Sequence, residues 1–332
     1  MTIDLLRNKC CILESMFTIE KLRRKPQHFH AFTGLTPDEF DTILNAVQPH
    51  YDACQEQRLN HPGRQRQSGA GHPFNLPLAA RLLMTLMYWR VYLTQGLLGF
   101  LFELDDSNVS REIRRMRRVL LVVLPVPMRD SNLITGQHTP TQTRLASLNA
   151  LLEQHPEFNE LFLDATEQPI FRPQDQLARS QRYSGKQHAH TIKTQVLSTA
   201  RVITHVLGQM PGRVHDHLLL QGSGVLSRIP TDRVVRLDRA YEGVESLYPE
   251  LQFEKAIRKP RAHALTILGK VYNQMQSRLR MPVEHMIGRL KRFNILAFQY
   301  RGGWTNHEDT VMVIAGLVNF VALGSLSWSG VG

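Results

Sequence analysis

The spacing of hydrophobic positions changes about midway along the chain. Up to about residue 125 they recur every three to four residues, as on one face of a helix; beyond about residue 155 they gather in short apolar runs bounded by turns. The first half therefore predicts helices. Thr36, Pro37 and Glu39 supply an N-cap, a proline for the first helical position and a capping-box acid. A helix from Pro37 to about Val47 follows, burying Phe40, Ile43, Leu44 and Val47. Leu76 to Val91 reads as a strongly apolar helix, and a short one from Thr94 runs through Leu98 to Phe102. The acidic turn ELDDS leads into a helix from Asn108 to Val123, capped by Asp106 or Ser107. In it Val109, Ile113, Met116 and Leu120 share one face, while Arg111, Arg114, Arg115 and Arg118 occupy the opposite one. Pro125 and Pro127 end the element.

In the second half, a helix at Arg144 to Glu153 precedes LFLDATEQPI, where large apolar residues end abruptly in Asp164. Such a run predicts a buried strand that delivers a carboxylate to the rim of a sheet. His190 to Thr199 and Arg201 to Leu207 read as two further strands, Gly208 to Asp216 as a turn and Leu218 to Leu226 as a short helix. Val234 to Asp238 repeats the first device, a β-branched strand whose last residue is Asp238. Phe253 to Ile257 is a further candidate strand. His263 to Tyr300 reads as mostly helical with a break at Pro282, and Val311 to Leu323 as a buried C-terminal helix. Strands followed by a strand and helices that close over them predict an α/β fold, a mixed sheet of ribonuclease H type. The expected division is a helical domain at 1–128, a linker and connecting helix at 129–155, and the sheet domain at 156–332.

Composition adds a partner. Hydrophobic content of 42% and charged content of 21% are those of a globular protein, but the net charge of +11 and pI near 9.9 point to a polyanion, most often nucleic acid. The charge clusters: REIRRMRR carries five Arg against one Glu, 5 − 1 = +4. Two short helices joined by a tight turn, the second basic on its outer face, read as a helix-turn-helix. The plain alternative is a helical bundle with a solvated arginine face. Arg58 to Asn75, rich in Gly, Pro and Arg, is a basic loop. Cys10, Cys11 and Cys54 make no zinc spacing and no disulfide framework, which predicts a reducing compartment. With no apolar leader core and no run long enough to span a bilayer, a cytoplasmic, nucleoid-associated protein is expected.

Phosphodiester cleavage requires an activated water or hydroxyl and charge neutralisation at phosphorus. Two divalent ions roughly 3.5–4 Å apart supply both, held by a few carboxylates. Asp164, Asp238 and Glu284, on two strand ends and one helix, form such a set for Mg²⁺ or Mn²⁺. On an unbroken helix Arg280, Glu284 and Lys291 fall within about 40° of one another, while Met286, Ile287, Leu290 and Phe293 cover another side. One carboxylate between two cations suits a metal ligand beside a DNA backbone. An ordinary ion pair on a solvated helix has the same spacing.

Together these residues resemble a known family, the DDE transposases of bacterial insertion sequences, in the branch similar to the PIF/Harbinger elements. The resemblance rests on GLTPDEFDTIL, the basic Gly-rich loop, LTQGLLGFLFELDDSNVSREIRRM, LFLDATEQPI, YSGKQHAHTIKTQVL, VHDHLLL, VVRLDRAYEG and the Arg280, Glu284, Lys291 set. It implies a ribonuclease H-like catalytic core behind a helix-turn-helix-like all-α domain, with Asp164, Asp238 and Glu284 binding two metal ions. It implies hydrolysis at transposon ends, transfer of the freed 3′-hydroxyl into target DNA, and backbone contacts by Arg280 and Lys291. The working form implied is a homodimer on double-stranded DNA. Departures from the family pattern are Ser277 for a tyrosine, Arg239 and Ala240 for a small pair, and Pro282.

Other candidates are weaker. His215, Asp216 and His217 could form a hydrolytic metal site, but the two histidines lack a third ligand, and the resemblance gives His215 and Asp216 a supporting role in the core. Lys186 and Tyr183 lie in a polar stretch suited to phosphate contact; His188 and His190 are exposed or DNA-facing. Glu167 is a second-choice acid. Trp304 is expected to pack under the C-terminal helix rather than to wedge between bases. Two rival functions remain open: a domesticated DNA-binding protein without catalysis, and a metal-dependent endonuclease without strand transfer.

Overall fold

The computed structural model describes residues 18–59, 76–129, 148–156, 158–258 and 264–328. Its contacts divide the chain into two compact units, one of residues 1–120 with Phe293–Ile295, the other of 121–292 with 296–332. Most of the basic loop at Arg58 to Asn75 and of the 129–142 linker lies outside the described residues. No described helix is long and apolar enough to cross a membrane.

The first unit is helical. Short helices α1 (Ile19–Arg23) and α2 (Pro26–Thr33) precede α3 (Pro37–Leu59), α4 (Leu78–Arg90), α5 (Gln95–Phe102) and α6 (Asp106–Val123). The capping box closes as its residue types require: the Glu39 carboxylate accepts from the Thr36 amide at 2.7 Å, and the Thr36 hydroxyl accepts from the Glu39 amide at 3.2 Å. Helix α3 then runs past Val47 and through Pro49 to Leu59. The extension carries Tyr51 and Gln55 into a buried polar cluster, and this compensates for the hydrogen bond that Pro49 cannot make. Leu82, Leu83, Met84, Leu86, Met87 and Trp89 bury α4 on nearly all sides.

The turn from α5 to α6 is tight. Thr94 caps α5, Glu103 takes a left-handed conformation (φ 53°), and a Cβ at Gly99 would collide with the Leu104 carbonyl. Helix α6 starts two residues before Asn108, at Asp106, because the Asp105 carbonyl already accepts from the Asn108 and Val109 amides. Val109, Ile113, Met116 and Leu120 are buried as their spacing predicts.

The second unit is built on a seven-stranded mixed sheet in the order β1-β5-β4-β2-β6-β7, with β3 beside β4. Its strands are β1 (Met128–Arg129), β2 (Glu160–Pro169), β3 (Tyr183–Ser184), β4 (Ala189–Ser198), β5 (Ile203–Pro211), β6 (Val234–Arg236) and β7 (Gln252–Glu254). Strands β2, β4 and β5 form an antiparallel meander; β6 and β7 run parallel to β2. The helices are α7 (Leu148–Gln154), α8 (Gln176–Arg182), α9 (Asp216–Ser223), α10 (Val244–Leu247), α11 (Ile267–Leu279), α12 (Met281–Lys291), α13 (Asn294–Ala297) and α14 (His307–Leu323).

Four boundaries in the second unit differ from expectation. Strand β2 does not end at Asp164 but continues to Pro169, because Ala165–Pro169 pair with Thr191–Gln195 of β4. Strand β6 ends at Arg236, leaving Asp238 beyond it, and β5 extends to Pro211 instead of turning at Gly208. The long helical segment breaks at Arg280, which ends α11 and precedes α12, rather than at Pro282. Pro282 sits in the first turn of α12, where its missing N–H costs nothing. The two-residue strand β1 falls where a linker was expected to begin.

Leu161, Leu163, Val235, Leu237 and Leu197 alternate onto one face and form a core with Leu220, Leu226 and Tyr241. The even-numbered residues Phe162, Asp164, Thr166 and Gln168 take the opposite face. Helix α14 packs on β5, buried almost throughout. Asn319 stitches it in place: its side chain accepts from the Ile203 amide and donates to the Ile203 and Pro125 carbonyls at 2.8, 2.9 and 3.1 Å.

Candidate functional site

The last residue pair joining β2 to β6 is Phe162 with Arg236. Asp164 and Asp238 each stand two residues further along, so the parallel register brings them to the same face at the point where the strands part. From there to Pro169, β2 keeps its β4 neighbour on one side and loses β6 on the other. A cleft of about 320 Å³ opens at this edge, lined among others by Asp164, Glu167, Lys186, Lys193, Asp216, Glu284 and Lys291.

Arg280, at the break between α11 and α12, reaches both aspartates. Its guanidinium lies 3.4 Å from the Asp164 carboxylate and 3.3 Å from that of Asp238. Asp164 is the more enclosed of the two, with 21% of its side chain exposed against 44% for Asp238. Desolvation raises the Asp164 pKa, assisted by the negative charges of Asp238 and Asp216; the Ala165 amide and Arg280 pull the other way without cancelling it. Glu284 enters the cleft from the first turn of α12 and is exposed. Lys291, in the last turn of that helix, has its pKa drawn down by desolvation against the opposing pull of Asp164. Helix α12 packs on β2, which sets these two side chains over the strand.

Asp164, Asp238, Glu284, Arg280, Lys186 and Lys291 are thus assembled at one edge of one sheet. Among the described residues, however, no three His, Cys, Asp or Glu side chains converge closely enough to hold a metal ion as they stand. The Arg280 guanidinium, bridging Asp164 and Asp238, supplies a positive charge where these acids would share a cation. The donor set itself fits a hard divalent ion, since it offers carboxylate oxygens alone. The buried Tyr241 hydroxyl, three residues beyond Asp238, has no hydrogen-bond partner among the described residues and lies in the fields of Asp216, Asp164 and Asp238. Burial pushes its pKa well up, so it stays a neutral donor.

Two side chains had no role in the sequence reading. Lys193 is buried within β4, with Ile192, Thr194 and Gln195 buried beside it. Its ammonium donates to the Val214 carbonyl at 2.6 Å and to Asp216 at 2.9 Å, and lies 3.5 Å from Glu167. The signal was present in KTQV, a lysine inside a run that otherwise has the pattern of a buried strand. Tyr241 was visible only as a family motif residue. Asp216, paired with Lys193, supports the sheet, and Glu167 also accepts from the Thr191 hydroxyl at 2.8 Å. Trp304 is half-buried in the turn that leads into α14, with the Arg182 guanidinium over its ring at 4.2 Å.

In the helical unit, Arg111, Arg114 and Arg118 are exposed along α6. Arg115, expected on the same outer face, turns inward. It pairs with Glu112 and donates to the Tyr51 hydroxyl at 3.2 Å, while Arg81 pairs with Glu112 at 3.0 Å from the other side. Burial alone would raise the Glu112 pKa; the Tyr51 hydroxyl and the two guanidiniums outweigh it and hold the carboxyl below its ordinary range.

The chain is similar to known proteins in both of its halves. The family described as "DDE superfamily endonuclease" matches residues 163–319, and "Helix-turn-helix of DDE superfamily endonuclease" matches residues 74–125. The chain is 29% identical over 306 residues to the probable transposase for insertion sequence element IS702 of Microchaete diplosiphon, covering 91% of this chain and 97% of that one. Two solved structures also align at low similarity. The Mos1 transposase paired-end complex with left transposon end is 11% identical, covers 81% of this chain and 84% of that chain, and has a TM-score of 0.18. The Mos1 strand transfer complex is 10% identical, covers 89% and 99%, and has a TM-score of 0.20. The two family matches place a helix-turn-helix over α4–α6 and the nuclease over the sheet, and with the relative spanning most of its length they support a DDE-type insertion-sequence transposase.

Proposed function

We propose that this DNA transposase hydrolyses the phosphodiester bond at the ends of its element and transfers the freed 3′-hydroxyl into target DNA. The observation that carries this reading is the equal register of Asp164 and Asp238 at the parting of β2 and β6, with Glu284 lining the same cleft. The sheet order supports a ribonuclease H-like core: an antiparallel β5-β4-β2 meander continued by two short parallel strands. We assign 1–128 to DNA binding, 129–155 to connection and 156–332 to catalysis.

Asp164, Asp238 and Glu284 would hold Mg²⁺ or Mn²⁺, two per site. Bound there, the metal would supply a low-pKa water or hydroxyl and neutralise charge at the scissile phosphate. The chain's own groups do the rest. Lys186, Lys291 and Arg280 line or adjoin the cleft as cations and would take phosphate oxygens of the strand laid across it. Arg280 neutralises Asp164 and Asp238. Tyr241 keeps its proton at neutral pH. Arg111, Arg114 and Arg118 on α6 would grip the terminal repeat, and two protomers acting on two ends would make the working form a homodimer on DNA.

The reading is tested with pre-cut ends and a target plasmid. Joined products in Mg²⁺ that require Asp238 support a transposase. Cleavage of uncut ends without joining reduces it to an endonuclease, and binding without either reaction reduces it to a DNA-binding protein.

A further inference from the structure

Asp164, Glu167, Asp216 and Glu284 all line the one cleft, more carboxylates than a triad shared with Asp238 requires. An acid beside a metal site and close to phosphate is harmful unless something restrains it, for it competes as a ligand and repels the DNA strand. Asp216 is near enough to bear on the charge of Asp164. Glu167 is three residues along β2 from Asp164 and, by the alternation of the strand, on the opposite face.

Lys193 restrains both. Directly across from Glu167 in the antiparallel register, it is buried, and only 7% of its side chain is exposed. Its ammonium has three protons and three neighbours: the Val214 carbonyl at 2.6 Å, Asp216 at 2.9 Å and Glu167 at 3.5 Å. The second Glu167 oxygen is occupied by the Thr191 hydroxyl at 2.8 Å. A lysine in this position is expensive to desolvate unless its partners are held in return, so the three side chains form one unit.

We propose that Lys193 is a positioning residue of the cleft, which ties Asp216 and Glu167 to the sheet and leaves the divalent metal to Asp164, Asp238 and Glu284. The proposal rests on the metal-dependent reading above. It makes Lys193 a selector of ligands rather than a contact to DNA. Removing its charge should strengthen metal binding while weakening cleavage, a combination that loss of packing does not produce.

The test is Mn²⁺ binding to the full chain without DNA, by electron paramagnetic resonance, beside single-turnover cleavage of a terminal repeat. Variants are Lys193→Met, the triple Lys193→Met/Glu167→Gln/Asp216→Asn, and Asp164→Asn as a control. Lys193→Met should bind Mn²⁺ about tenfold more tightly or take up an additional ion, a change of the size outer-shell groups cause, and cleave at least about tenfold more slowly. The triple variant, with no freed acids and no buried charge to destabilise it, should return to wild-type Mn²⁺ binding and recover most of the cleavage rate. Unchanged or weaker Mn²⁺ binding in folded Lys193→Met overturns the proposal, as does a folded triple variant that still fails to cleave. If Lys193→Met does not fold, the triple variant alone decides. If Asp164→Asn binds Mn²⁺ as the wild type does, the metal reading itself falls and the proposal with it, a failure distinct from the other two.

Discussion

Asp164 and Asp238 hold equivalent places on neighbouring parallel strands, each two residues beyond the last pair that joins β2 to β6. One guanidinium, that of Arg280, serves both at 3.4 and 3.3 Å. A short β6 makes the arrangement: it brings the acids into register and then stops, leaving the edge of β2 open beside them.

Because Arg280 is the shared countercharge, its loss should be felt most in the absence of metal. Arg280→Gln is expected to melt about 3 °C below the wild type in a chelator, the order of about 1 kcal/mol for a domain of this size. Millimolar Mg²⁺ should then raise its melting temperature by more than it raises that of the wild type. Equal Mg²⁺ shifts in the two proteins would show that the guanidinium and the metal do not share a site.

The arginines of α6 should separate into two classes. Arg114→Ala with Arg118→Ala should weaken binding to terminal DNA and lower the slope of log affinity against log salt by roughly 1.8, two phosphate contacts' worth. Arg115→Ala should instead cost about 3 kcal/mol of stability in the helical unit, since it removes a partner of the buried Glu112. An undiminished salt slope in the double variant returns that helix face to a solvated surface; a stable Arg115→Ala contradicts the buried pairing.

Burial raises the Asp164 pKa, and this has a consequence for stability. For a carboxyl whose folded pKa is raised, the stabilising contribution is complete below the ordinary carboxylate range and is lost as pH rises through the folded value. Asp164→Asn cannot ionise. In a chelator it should therefore resist urea better than the wild type at pH 7, with the advantage gone at pH 3. A lower urea midpoint at pH 7 would contradict the desolvation account.

His205 and His307 have the opposite sign. Desolvation holds them neutral, with pKa values of about 3 and about 4. Each contributes stability above its ordinary value that is lost as pH falls through the folded one. His307 faces the Gln168 carbonyl oxygen at 2.8 Å, and His307→Gln should reduce the loss of stability between pH 6 and pH 4 by up to about 1.4 kcal/mol per pH unit. An unaltered acid limb would place the proton uptake elsewhere.

Much of this was legible in the sequence because the signals were local. A capping box is a contact between residues three apart, and the buried face of α6 follows from period alone. The two aspartates could be named because each ends an apolar run. What could not be read was what the partner strand decides: that β2 continues beyond Asp164 depends on β4, and that β6 stops at Arg236 depends on where β2 and β7 leave it. The inward turn of Arg115 depends on Tyr51 and Arg81, 64 and 34 positions away (115 − 51 and 115 − 81). Lys193 escaped notice for the same reason, since its partners Asp216 and Glu167 come from other elements.

The most direct measurement is cleavage of a supercoiled plasmid carrying candidate terminal repeats, with Mg²⁺ or Mn²⁺, by the wild type and by Asp238→Ala. The account predicts metal-dependent nicking at the ends by the wild type, reduced to about one hundredth or less by the substitution, with DNA binding retained. Specific binding without nicking in either metal, or nicking that Asp238→Ala leaves intact, would contradict it.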